Sequence, residues 1–284
     1  MRSSIDAEVQ LAHFGLNLLF PALLAYGGWK LGKRSPRAGL GGAIVLCLLL
    51  LVRALLLRAP ELEITLFPWR DYAFYSGWQY GLFPALALCV LPSVSPRNAR
   101  ALCLGAVGLF AFHAMQISWM LAGQELELEE RRSAEGDCLQ STAFSCGAAS
   151  AVNLLARHGI DATETEMARA SLLREGRGSN EIGVLRGLAI RCESTSWEPV
   201  LRALDYEDLV RLRRPALVPL RVSWLANHLV CVLEARPAEI LLLDPASGRI
   251  TLPRNEFEER FVERAIYLRA SGAPDPLASS LVAQ

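Results

Sequence analysis

The sequence predicts a two-part molecule, a region of four membrane-spanning helices followed by an α+β domain. Three observations predict it. Four apolar stretches, Val9–Trp29, Gly39–Leu57, Tyr72–Pro92 and Ala101–Leu121, each have roughly the 20 residues that a spanning helix needs. The charges are unevenly shared, with 10 Lys and Arg against 5 Asp and Glu in residues 1–124, but 19 against 24 in residues 125–284. Beyond residue 137 the pattern changes to short helical segments and then to short β-rich runs, the order of an α+β domain. We place the helical region at 1–124, a connector at 125–137, the globular domain at 138–270 and a loose tail at 271–284. With 52% hydrophobic residues the 284-residue chain is too apolar to be disordered, and its balanced charge, without a basic stripe, gives no footprint for nucleic acid. Seven scattered cysteines with no CxxC pair suggest neither a disulfide scaffold nor a zinc knuckle. No cofactor is expected.

Taken in order, the first stretch is a poor secretory signal, because Asp6 and Glu8 stand beside Arg2, the apolar run is long and no clean small-x-small cleavage pattern follows. Trp29, Trp69, Trp78 and Trp119 lie at or near predicted ends, where amphipathic rings meet headgroups. Lys30, Lys33, Arg34 and Arg37 join the first stretch to the second, and Arg97 and Arg100 join the third to the fourth, so both loops read as cytoplasmic. The loop between the second and third holds Glu61, Glu63 and Asp71 against Arg58 and Arg70. It fits the opposite side, which puts both termini and the acidic domain in the periplasm or exterior. Within the spans, Arg53 is expected to snorkel to an interface, while His13, Asn17, Gln79, His113 and Gln116 bond to neighbouring helices and Cys47, Cys89 and Cys103 pack. After a solvated connector come helices near Cys146–Arg157, Glu164–Leu173 and Ser179–Ala189. Strands follow at Ala216–Arg221, His228–Glu234 and Glu239–Leu243.

The chemistry gathers in the second part. Cys146 opens a helix whose first turn is built from small residues, and unpaired N–H groups and the helix dipole at that end stabilise a thiolate. Gly147 and Ala148 leave room for a substrate backbone to approach. A nucleophile needs a base, and the domain offers His158 and His228. His158 precedes Gly159 at a helix end and reads as structural. His228 opens a strand on which it shares a face with Val230 and Val232. A hairpin closed by Ala235–Pro237 sets His228 directly opposite Asp244, so that the carboxylate accepts the imidazole Nδ1–H and leaves Nε2 for the nucleophile. Gln140, six residues before Cys146, can donate its amide to a carbonyl oxygen as charge develops there. A zinc site from Cys146, His228 and Asp244 is disfavoured for want of a close fourth ligand. A disulfide among Cys138, Cys192 and Cys231 stays open, as do buried free thiols.

These blocks, Gln140-x5-Cys146-Gly147, Gly178-Ser-Asn-x-x-Gly183, Asn227-His228-Leu-Val and Asp244-Pro-x-x-Gly248, occur in one order from about Cys138 to Tyr267. In them the sequence resembles the C39 peptidase family of papain-like cysteine proteases, best known as leader-cleaving domains of bacteriocin and peptide exporters. The resemblance implies a papain-like fold and a thiol protease acting on a peptide or protein segment. In it Cys146 is nucleophile, His228 general base and acid, Asp244 its orienting partner and Gln140 the oxyanion donor. Two departures stand out. Family members often carry an acidic residue where this chain has Ser145, and in exporters the peptidase precedes a transporter core and an ATPase. Here helices precede it and no GxxxxGK[ST] loop occurs, so ATP is not an expected ligand and any export partner is a separate protein. Acyl transfer to an amine or thiol, non-catalytic capture of leader peptides, and a function carried by the helices themselves are the competing readings.

Overall fold

The structure is a computed structural model that describes residues 2–75, 77–120, 126, 128–223, 226–274 and 276–277, with side chains described from residue 9 onward and excepting that of residue 119. The end of the fourth apolar stretch, the side chain of Trp119, part of the connector and the tail beyond residue 277 lie outside the described residues. The chain divides into two compact units, Met1–Ala59 with Phe74–Glu125, and Pro60–Ala73 with Leu126–Gln284.

Helices run in the order α1 (Arg2–Arg34), α2 (Pro36–Leu56), α3 (Pro60–Leu66), α4 (Gln79–Val90) and α5 (Pro96–Ile117), and all but α3 belong to the first unit. Among the described residues three helical segments are long and apolar enough to cross a membrane: Val9–Arg34, Pro36–Leu56 and Pro96–Ile117. The second begins three residues before the expected Gly39 because Ser35 caps it, its Oγ accepting the Ala38 N–H at 3.1 Å, with Pro36 at the first helical position. The expected third span is shorter than the sequence suggests. Its helix α4 has 12 residues, about 18 Å at 1.5 Å per residue. Tyr72 falls instead in a 3₁₀ turn over Arg70–Tyr75, and the apolar run from Tyr72 to Phe74 is buried by protein. Glycines bring α1 and α2 against α4: a Cβ on Gly28 falls 2.8 Å from both the Ala85 carbonyl and Cys89 Sγ, and one on Gly32 or Gly39 falls 2.5 Å from the Cys89 carbonyl.

Arg53 does not snorkel. It is 2% exposed, donates Nε–H to Gln79 Oε1 at 3.0 Å and lies over the Trp78 ring. His13 Nδ1 meets Tyr75 Oη at 2.7 Å, Asn17 donates to the His13 carbonyl at 2.9 Å, and His113 Nε2 lies 2.9 Å from the Asn17 carbonyl. Cys89 packs as expected, whereas Cys47 and Cys103 are exposed on the outside of the unit.

The second unit is an α+β domain. Its six-stranded sheet has the order β3-β8-β4-β5-β6-β7, every neighbouring pair antiparallel, with β3 (Trp197–Ala203), β4 (Ala216–Arg221), β5 (Asn227–Ala235), β6 (Glu239–Asp244), β7 (Gly248–Pro253) and β8 (Arg264–Ala270). A two-residue pair, β1 (Arg131–Arg132) with β2 (Cys138–Leu139), precedes it. Period-2 alternation splits the sheet residues between two cores. Leu217, Leu229, Cys231, Leu243 and Ile266 face α6 (Cys146–Ala156), α7 (Glu164–Ala170) and α8 (Glu181–Cys192). Val218, Val230, Val232, Leu242 and Tyr267 face α9 (Tyr206–Leu212) and α10 (Arg254–Glu258). Capping boxes start the short helices α7 and α9, from Thr163 to Glu166 and from Asp205 to Asp208. The segment 60–73, between α2 and α4 in sequence, is built into this unit. Ile64 packs on the first core, Tyr72 Oη–H donates to the buried Glu63 at 2.6 Å, and Arg186 on α8 donates to Asp71 at 3.2 Å.

Candidate active site

Cys146 is the first residue of α6, so its own N–H and that of Gly147 have no acceptor within the helix. The loop entering the helix is closed by Ser145, which is fully buried: its Oγ donates to the Thr142 carbonyl and accepts the Thr142 N–H, both at 3.1 Å. The serine at the position where an acidic residue is common thus serves its own turn. Farther along α6, Asn153 exchanges two 2.8 Å hydrogen bonds with the backbone of Cys138, which ties the start of the domain to this helix. The space beside Gly147 is not free for a substrate, because a Cβ there falls 3.1 Å from Val184 of α8.

The strand pair β5–β6 carries the other two groups, with a register that differs from the expected hairpin. The turn is longer: Ala235 pairs with Ile240 and Glu234 with Leu241. Continued without interruption, that register puts Asp244 opposite Cys231, on the face away from His228. A one-residue bulge at Leu233 shifts it, so Cys231 pairs with Leu243 and Asp244 joins the His228 face as a diagonal neighbour rather than a directly opposed one. His228 Nε2 lies 2.7 Å from Asp244 Oδ1. The ring is therefore used the other way round from the expectation, with Nδ1 left for the thiol. Asp244 is itself held by the Ala246 N–H at 2.8 Å.

The electrostatics follow from this contact. Burial alone raises the Cys146 thiol, but the His228 side chain and the backbone N–H groups of Leu229 and Gly147, all bonded to the sulfur, outweigh it and hold the thiol below its ordinary value. Burial lowers His228, yet its bonds to Asp244 and Cys146 lift it to about 9. Asp244 loses some ionisation to burial and regains more from His228 and the Ala246 N–H, ending below the usual carboxylate range. The other thiols of this unit behave oppositely: Cys138, Cys192 and Cys231 are buried and free, and burial pushes Cys138 and Cys231 up to about 12.

Gln140 lies in the same loop as Ser145. Its backbone N–H donates to Pro245 O at 2.7 Å, fastening this loop to the Asp244 turn, while its amide Nε2 donates to the Thr142 carbonyl at 2.9 Å. One of the two amide hydrogens is thus engaged within the loop, while Oε1 is buried with no hydrogen-bond partner among the described residues. His158 takes no part: its Nδ1 is bonded to the Leu154 carbonyl at 2.9 Å and its ring stands edge-on to Trp197. Among the described residues no group of three His, Cys, Asp or Glu side chains is arranged to hold a metal ion. Sequence reasoning missed Ser150, whose hydroxyl donates to the Leu229 carbonyl at 2.8 Å. Its signal was a polar residue one turn after Cys146 on an otherwise apolar helix face.

Residues 138–272 match the family model described as Peptidase C39 family, and through this segment the chain belongs to that family. Two curated relatives, both described as uncharacterized proteins, come from Methanothermobacter. The protein from M. thermautotrophicus is 30% identical over 125 residues, which is 43% of this chain and 80% of the relative. The one from M. marburgensis is 29% identical over 140 residues, 48% of this chain and 92% of the relative. Among solved structures, the peptidase domain of Streptococcus ComA, a bi-functional ABC transporter, is similar with 16% identity and a TM-score of 0.42, covering 47% of this chain and 96% of that one. A double glycine motif protease from an AMS/PCAT transporter, in complex with its leader peptide, is 19% identical with a TM-score of 0.42, covering 52% and 96%.

Proposed function

We propose that the protein is a membrane-anchored cysteine endopeptidase in which Cys146 is the nucleophile, His228 the general base and acid, Asp244 the residue that orients His228, and Gln140 an oxyanion donor. The observation that carries this reading is the convergence of thiol, imidazole and carboxylate, residues remote in sequence, on the mouth of β5 and β6. With the thiol lowered and the imidazole raised to about 9, the resting pair in between is thiolate and imidazolium. The thiolate attacks the scissile carbonyl, and the tetrahedral oxygen is met by the Cys146 N–H and the free Gln140 amide hydrogen. Imidazolium gives its proton to the leaving amine, and water, deprotonated by the neutral ring, releases the acyl group from sulfur. The substrate is a peptide or an extended protein segment, with a leader cut after small residues as the reading the family favours, and a separate export protein as its companion.

The same reading places the peptidase outside the cytoplasm. Residues 60–73 and the chain after α5 both belong to the peptidase unit, so the connections left for the other side are α1 to α2 and α4 to α5. Those carry Lys30, Lys33, Arg34, Arg37, Arg97 and Arg100, the basic loops of a cytoplasmic face. Comparison of protein termini in cells holding the active protein and its Cys146→Ala variant tests the function. New N-termini lost in the variant support peptidase activity and name the substrate; products carrying added amine or thiol mass identify acyl transfer instead; identical termini refute both.

A further inference from the structure

We propose that Ser150 is a positioning residue for the Cys146 thiolate, acting through the backbone of Leu229. The inference rests on the peptidase reading for its catalytic consequence, and on geometry for its substance. β5 outruns β6: the last pair is Cys231 with Leu243, and Asp244 already turns away into Gly248 and β7. Leu229 therefore has no strand partner on that side. On its other side stands Pro219 of β4, which has no N–H, and whose carbonyl accepts the Val262 N–H at 3.3 Å, away from β5. In an antiparallel ladder both main-chain groups of a residue point to one neighbour, so the N–H and C=O of Leu229 point to the place β6 has vacated.

Helix α6 fills that place. Ser150, fully buried, donates its hydroxyl to the Leu229 carbonyl at 2.8 Å, and Cys146, one turn earlier on the same helix face, accepts the Leu229 N–H on its sulfur. The nucleophile thus takes the acceptor position of a missing strand residue, and the serine fixes the peptide group that serves it. Because Leu229 follows His228 directly, the same bond holds the base in register with the thiol. The titratable groups acting on the thiol among the described residues are His228 on β5 and, behind it, Asp244 on β6. Both are unchanged by a substitution at Ser150.

The test is the pH profile of Cys146 alkylation by iodoacetamide in the full-length protein in lipid nanodiscs, read from the Cys146 peptide by mass spectrometry. In Ser150→Ala the inflection moves up by about one pH unit, roughly a tenfold loss of thiolate on the acid side. Ser150→Thr, which keeps the hydroxyl, stays near the wild-type profile. A folded Ser150→Ala with the wild-type profile overturns the proposal. Should Ser150→Ala not fold, residue-resolved hydrogen exchange decides: the Leu229 amide exchanges faster in Cys146→Ala than in wild type if it serves the sulfur, and equal rates overturn the proposal. Neither readout needs a substrate. An unshifted profile alongside intact processing thus removes Ser150 and leaves the peptidase reading standing, while a shifted profile without processing does the reverse.

Discussion

The two ends of helix α6 carry the same kinds of groups to opposite effect. At its start, Cys146 meets His228, a ring held between a carboxylate and a thiol. Just past its end, His158 gives one nitrogen to the Leu154 carbonyl and lays its ring against Trp197. Both histidines are partly buried. What separates them is their partners: a backbone carbonyl fixes a ring and asks nothing further of it, whereas a carboxylate and a thiol raise the ring's hold on a proton. Cysteine shows the same contrast, since burial without a charged partner pushes Cys138 and Cys231 up to about 12 while Cys146 is held low.

Substituting the two histidines in turn gives the largest expected difference. His228→Ala should lower kcat/KM for processing by about 10³-fold or more, within the range of general acid–base contributions. His158→Ala should leave turnover within about twofold and cost about 1 kcal/mol of stability, the worth of one hydrogen bond and one aromatic contact. Equal losses in the two variants would erase the contrast. Next in size is Asp244→Asn, expected to cost about 10²-fold in kcat, near the low end of that same range. The pH profile sharpens it. In the wild type kcat/KM rises as the lowered thiol ionises and falls through about 9 as His228 loses its proton. Asp244 helps to raise His228, so the alkaline limb should move to lower pH in Asp244→Asn. An unmoved limb would show that the carboxylate does not act on the ring.

The smallest effect concerns the segment between α2 and α4. Asp71 and Arg186 are 24% and 13% exposed, so their pairing is partly screened, and Asp71→Arg or Arg186→Asp alone should cost roughly 1 kcal/mol in thermal unfolding of the full chain. The double exchange should recover most of it. Additive losses would mean that the pair is not coupled.

The sequence made the site legible in its residues more than in its geometry. The small-residue start of α6 and the strand openings at His228 and before Asp244 are local patterns. The bulge at Leu233 is not, because nothing in a run of Leu, Val and Cys marks which residue will be left unpaired, and it decides the face on which Asp244 falls. The strands β3 and β7 escaped notice because both are sheet edges with a solvated side, one containing Pro199 and the other starting at Gly248. β8 lies inside the sheet, yet its apolar run is only Ala265–Leu268, flanked within the strand by Arg264 and Arg269, and it stands apart from the other β-rich runs. In the helical region length and apolarity located the spans, while the shortness of α4 and the burial of Arg53 came from packing between helices that are distant in sequence.

The most direct test of the central claim is site-resolved alkylation of the seven cysteines at neutral pH in the wild type and in His228→Ala. Convergence of sulfur and imidazole predicts that Cys146 reacts much faster than a free thiol such as glutathione and loses that advantage when His228 is removed. A Cys146 no more reactive than glutathione, or one indifferent to His228, would contradict it.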